Sequence, residues 1–111
     1  MRKDVLLGQS EMLVLIAVLR LGDGAYGVPI SREISKEIGR DVAVAGIYST
    51  LERLERLRLV EAQTGEPTAT RGGRAKTYFS VTAEGMRQLR ASQRILQGFW
   101  GALASPVRRP A

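Results

Sequence analysis

The stretch AGIYSTLERLERLR, residues 45–58, decides how this chain is read. On a 100° helical wheel Ile47, Leu51 and Leu54 share one side. Ala45, Ser49, Glu52, Arg53 and Arg56 fall on the other, with Tyr48 at the flank. A helix divided in this way gives an apolar face to a core and a cation-bearing face to something outside it.

Upstream, residues 28–38 read as a second helix, with Ile30, Ile34 and Ile38 in one stripe and Gly39 as its stop. Pro29 suits the first turn, where its missing N–H costs nothing. The connection from Arg40 to Val44 is short and β-prone, and is expected to form a short strand. Residues 9–21 form a first helix, with Met12, Leu13, Ile16, Leu19 and Leu21 at three- and four-residue steps. Ser10 is its expected N-cap, and Gly22-Asp23-Gly24 its closing turn.

Downstream, Leu59 to Gln63 and Lys76 to Val81 read as two strands of a hairpin. The tip between them, TGEPTATRGGRA, holds Gly65, Pro67, Gly72 and Gly73 among the cations Arg71 and Arg74. Of Tyr78 and Phe79, one should face the core. Thr82 is the expected N-cap of a last helix, in which Met86, Leu89, Leu96, Trp100 and Leu103 sit at heptad-like positions. Gly98 and Gly101 weaken its end, and Ser105-Pro106 stops it.

Composition removes many alternatives. The 111 residues suit one core, and 44% of them are apolar. There is no cysteine and no histidine, which excludes disulfides, Cys/His zinc sites and every mechanism that needs a histidine base or a thiolate. No phosphate-binding loop and no paired carboxylates in a cleft-like context are found, so no enzyme, metal or cofactor is expected. The formal charge of +6 favours an anionic partner. The longest apolar run, Met12 to Leu19, is far short of the roughly 20 residues that span a bilayer, and the chain reads as cytoplasmic.

The fold expected is mainly α with a small β-hairpin. Residues 1–81 form a winged helix-turn-helix, 82–104 a dimerisation helix and 105–111 a flexible tail. In such a fold the second helix of the pair can enter a DNA major groove, and the hairpin lies beside it as a wing. Glycines at the tip let the backbone approach closely. Arg71, Arg74 and Lys76 are then placed to bind phosphates or to probe the minor groove.

Three segments carry a family resemblance: GAYGVPISREI (24–34), GIYSTLERLERLRLV (46–60) and GGRAKTYFSVTAEG (72–85). In this order they resemble the PadR family of bacterial transcriptional regulators over roughly residues 6–90. Tyr26-Gly27, Tyr48, Leu51, Arg53, Leu54, Glu55, Gly72-Gly73-Arg74, Tyr78, Thr82 and Gly85 occupy the family's motif positions. The chain departs from the pattern at Ala43-Val44-Ala45-Gly46, where a Ser-Pro-Gly-Thr run is common, so a hydroxyl cap is missing. It departs also at Ser49, where Pro is usual, and at Arg58, where Gly is usual.

The resemblance implies a homodimeric winged helix-turn-helix regulator, usually a repressor, of the subgroup with a single helix after the wing. Some members respond to phenolic or planar hydrophobic compounds, which makes such an effector a candidate partner beside double-stranded DNA. The DNA-binding residues expected are Ala45, Gly46, Tyr48, Ser49, Arg53, Arg71, Gly72, Gly73, Arg74 and Lys76. Arg53 and Arg56 could instead pair with Glu52 or Glu55. Arg87, Arg90 and Arg94 read as the solvated face of the last helix.

The dimerisation set is Met86, Leu89, Leu96, Phe99, Trp100 and Leu103. A helix of about 23 residues is about 34 Å long, too long for a small core to cover its whole stripe. A two-fold dimer would cover it and place two recognition helices about 34–36 Å apart, on a pseudo-palindromic operator. Phe99 and Trp100 either pack at the dimer axis or, with Met12 and Ile16, line a ligand slot. A winged helix that serves only as a protein-interaction module, without specific DNA binding, is the alternative function.

Overall fold

Periodicity becomes structure in chain order. The computed structural model describes residues 6–65 and 76–104. It contains α1 (Gln9–Leu21), α2 (Gly27–Ile38), α3 (Val44–Arg56), β1 (Val60–Thr64), β2 (Thr77–Val81) and α4 (Ala83–Trp100). Short 3-10 turns at Gly22–Gly24 and Gly101–Ala104 follow α1 and α4.

The stripes seen in the sequence meet in one core. Val14, Leu15 and Val18 of α1, Ile30 and Ile34 of α2, and Ile47, Leu51 and Leu54 of α3 are buried together with Leu59, Val60, Phe79 and Leu89. Each such side chain contributes about 1.5–3 kcal/mol through removal from water. The first half of α4 is part of this core. Leu7, just before α1, donates its amide to Ser92 Oγ of α4 at 2.9 Å, and both residues are buried. Arg20 links α1 to α2 through Glu37 at 2.8 Å and Glu33 at 3.2 Å. The hydrogen bond to Glu37 is the main reason its pKa lies above the ordinary arginine value.

Two local expectations are corrected. Gly8, not Ser10, is the N-cap of α1, because the Glu11 carboxylate reaches back to accept the Gly8 amide at 2.8 Å. Residues 40–43 form no strand; Val44 already belongs to α3. The backbone of Val42 is held by side chains instead. The sheet keeps two strands, and outside it the Ala25 carbonyl accepts the Phe79 amide at 2.8 Å.

The hairpin pairs antiparallel, with Val60 opposite Val81 and Ala62 opposite Phe79. Phe79 turns inward and Tyr78 stays half-buried. The passage from α3 into β1 is a complete left-handed stop. Arg58 has φ 61°, its amide bonds to Glu55 O at 2.9 Å, and the Leu59 amide bonds to Leu54 O at 2.9 Å. Leu54 and Leu59, both buried, supply the apolar contact of this motif.

Thr82 caps α4 as expected. Its hydroxyl oxygen accepts the Gly85 amide at 2.9 Å and donates to Arg58 O at 2.8 Å. Gly85 packs so tightly that a Cβ there would collide with Leu59 O and Val81 Cγ1. The α-helical part of α4 ends at Trp100, four residues earlier than the 82–104 reading, and tightens into the 3-10 turn. Glycines at 98 and 101 lower the helical preference there.

Candidate nucleic-acid interface

The turn between α2 and α3 fixes how α3 is presented. Ser31 Oγ donates to Val42 O at 2.6 Å, and Val42 N donates to Ser35 Oγ at 2.9 Å. Two serines one helical turn apart thus hold both polar groups of Val42 against α2. Neither was singled out from the sequence; their i, i+4 spacing beside the apolar stripe was the available signal.

With the turn fixed, α3 buries Ile47, Thr50, Leu51 and Leu54 and exposes Ala45, Gly46, Tyr48, Ser49 and Arg53. These five sequence-expected contacts form one solvent-facing surface. A Cβ on Gly46 would meet nothing within 4 Å. No side chain caps the helix N-terminus. Ser49 Oγ donates to Ala45 O at 3.2 Å, which leaves its oxygen able to accept. Tyr48 leans its ring tip over Gly27, where a Cβ would overlap it. This is a physical reason for glycine after Tyr26.

Arg53 pairs with neither Glu52 nor Glu55. Its Nε donates to Glu11 Oε2 of α1 at 3.2 Å. Nothing in the sequence singles out Glu11, because the contact that gives it a role joins residues 42 apart in the chain.

At the root of the wing, Lys76 Nζ stands 4.6 Å from the centre of the Tyr26 ring and donates to Tyr26 Oη at 3.3 Å. Tyr26 meets Tyr78 edge-on, with ring centroids 5.5 Å apart. Lys76 remains exposed and is oriented by this aromatic pair. Arg71, Gly72, Gly73 and Arg74 lie outside the described residues. Beside α3, the outer surface of α2 and the turn carries Arg32, Lys36 and Arg40 around a shallow hollow of about 520 Å³. Of these, Lys36 pairs with Glu33 at 3.7 Å.

Elsewhere, α1 and α4 enclose an open, largely apolar groove of about 420 Å³. Met12, Ile16 and Leu19 form one wall, and Met86, Leu96 and Trp100 line the other side. Leu89 also lines it and is buried in the core of the single chain. Phe99 is not among the lining residues. It is 76% exposed, next to Trp100 at 63% and Leu103 at 78%. The structure therefore brings Met12, Ile16 and Trp100 together and leaves Phe99 on the adjoining surface. Among the described residues no group of acidic side chains could hold a metal ion, and no helix is long and apolar enough to cross a membrane.

Comparison with known proteins agrees with this fold. The family model described as "Transcriptional regulator PadR-like family" matches residues 15–91. A transcriptional regulator from Clostridium thermocellum superposes with a TM-score of 0.73 at 23% identity, over 97% of this chain and 99% of that one. A PadR family regulator from hypervirulent Clostridium difficile gives 0.68 at 20% identity, over 88% and 100%. A mutant of S. aureus MepR bound to an oligodeoxyribonucleotide gives 0.58 at 18% identity, over 93% of this chain and 67% of that one.

Proposed function

The chain belongs to the PadR-like family of transcriptional regulators, a family of regulators and not of enzymes; from this we propose that it is a homodimeric, DNA-binding repressor acting on a pseudo-palindromic operator. The observation that carries the reading is the exposed face of α3, where Ala45, Gly46, Tyr48, Ser49 and Arg53 project together beside the hairpin. In this reading the N-terminal half of α3 reads base edges in the major groove. Lys76 and the wing residues Arg71, Gly72, Gly73 and Arg74 hold phosphates or the adjacent minor groove. The cytoplasm, where the chromosome lies, is the corresponding compartment.

Dimerisation is supported by the apolar surface that one chain leaves open. Phe99, Trp100 and Leu103 are mostly exposed, and Ile16 and Leu19 are half-exposed across the groove. A second α4 laid along this surface would remove it from water and add the end of each helix to the other's groove. The same groove, with Met12, Ile16 and Trp100 on its walls, suits a planar hydrophobic effector, which would release the operator by changing how the two chains meet.

The test is a mobility shift with the DNA upstream of the chain's own gene, at several salt concentrations and with nonspecific competitor. Selective binding with a steep salt dependence is the expected result. Binding that the competitor abolishes, on this DNA and on duplexes selected from a random library, would favour a winged helix that serves as a protein adaptor.

A further inference from the structure

We infer that Glu11 is a positioning residue for operator recognition, holding the Arg53 guanidinium at the angle from which it meets DNA; the inference rests on the reading of α3 as the recognition helix. Both oxygens of the Glu11 carboxylate are committed. Oε1 accepts the Gly8 amide at 2.8 Å and Oε2 accepts Arg53 Nε–H at 3.2 Å. The first bond ties the carboxylate to the N-terminus of α1, where the helix dipole also favours an anion. Glu11 is thus a fixed acceptor, its side chain only 16% exposed, whereas that of Arg53 is 50% exposed.

Arg53 is engaged through Nε alone. Among the described residues no other group takes a hydrogen bond from it, so both terminal nitrogens and their four N–H groups remain for a ligand. An arginine held by Nε presents its outer edge as a planar fork suited to a phosphate or a guanine. Arg53 lies one turn beyond Ser49 on the same exposed face of α3. Arg56, the next cation of α3, has no such tether among the described residues. Holding Arg53 in place removes rotamer freedom before DNA arrives, which lowers the entropy lost on binding.

The sign of the effect separates positioning from plain electrostatics. Glu11 is negative, so if it acted only by charge, removing that charge would tighten DNA binding. If it positions Arg53, removing it weakens binding. Glu11→Gln is the suitable variant, because glutamine can still accept the Gly8 amide and preserve the cap. It then turns an NH2 group toward Arg53 and loses the pair.

The experiment measures affinity and salt slope for wild type, E11Q, R53Q and the double variant, on a duplex that the wild-type protein enriches from a random-sequence library. Thermal unfolding is followed in parallel, and the Arg53 Nε–H signal is recorded by NMR in the free protein. The expected result is about fivefold weaker binding for E11Q and a salt slope lower by about one. In the R53Q background the E11Q effect should vanish, and the NMR signal of free E11Q should broaden or shift. Tighter or unchanged binding by folded E11Q, or an equal loss in the R53Q background, would overturn the positioning role while leaving the regulator reading intact. Enrichment of no duplex by the wild type would remove that reading itself, and this inference with it.

Discussion

The ring tip of Tyr48 on α3 lies directly on Gly27 at the start of α2, with no room for a methyl group between them. Two elements of the helix-turn-helix are thereby gauged against each other at one contact. Gly27→Ala is expected to swing the phenol outward, since the atoms displaced are the far end of a side chain that can rotate. Stability should fall by only about 1 kcal/mol. Operator affinity should fall by about fivefold or more, because Tyr48 leaves its place on the proposed DNA-contact face. Chemical denaturation and mobility shift on the same preparation check the two halves of this expectation.

Arg58 occupies a left-handed backbone position, φ 61°, within an otherwise complete helix stop. A side chain there costs about 1 kcal/mol relative to glycine. Arg58→Gly should therefore stabilise the protein by about that amount and raise the unfolding temperature by about 4 °C or more. Differential scanning calorimetry measures it.

Gly85→Ala should act in the opposite direction. The added methyl would meet the Leu59 carbonyl, which already accepts the Thr82 amide at 3.0 Å, and Val81. Backbone cannot rotate away as a phenol can, so a loss of about 2–3 kcal/mol is expected. Urea unfolding should show a lower midpoint with an unchanged slope.

If two chains pair through α4 as proposed, Trp100→Glu should leave the protein monomeric at a micromolar concentration where the wild type is dimeric, read by sedimentation velocity. A charge at the rim of the groove would have to be buried against the partner chain. In the wild type, planar aromatic compounds that enter the groove should quench the single tryptophan, and the Met12→Ala and Ile16→Ala variants should weaken that quenching.

Neutralising Arg71 and Arg74 together should lower the salt slope of operator binding by about two if each holds one phosphate. Lys76→Ala should lower it by about one more. An unchanged slope for all three would remove the wing from the DNA contact.

What the sequence disclosed was periodicity and punctuation. The isoleucine stripe at 30, 34 and 38 and the glycine at 39 gave α2 to within a residue. Ile47, Leu51 and Leu54 separated the buried side of α3 from its exposed side. The strand expected at 40–44 failed because β-prone residues form a strand only where an edge awaits them. Here two serines bind the backbone of Val42, and the sheet stays two-stranded. Arg53 was legible as a cation on the outer face, but its partner was not. Glu52 and Glu55 are near it in sequence, whereas Glu11 is near it only through the packing of α1 on α3. Position 58 shows the same limit, since its departure from glycine was visible and its backbone angle was not.

The buried hydrogen bond from Leu7 to Ser92 makes a fulcrum of one point on α4. Trp100 lies eight residues beyond it and Thr82 ten residues before it, so the helix forms a lever with arms of about 12 Å and about 15 Å. A tilt of about 10° around Ser92 would carry the indole sideways by about 2 Å and move Thr82 by about 3 Å the other way. Thr82 is fastened to the Arg58 carbonyl, two residues beyond the end of α3. Were α4 to move as a rigid rod about that bond, a displacement at its exposed tip would be felt beyond the end of α3 with its direction reversed.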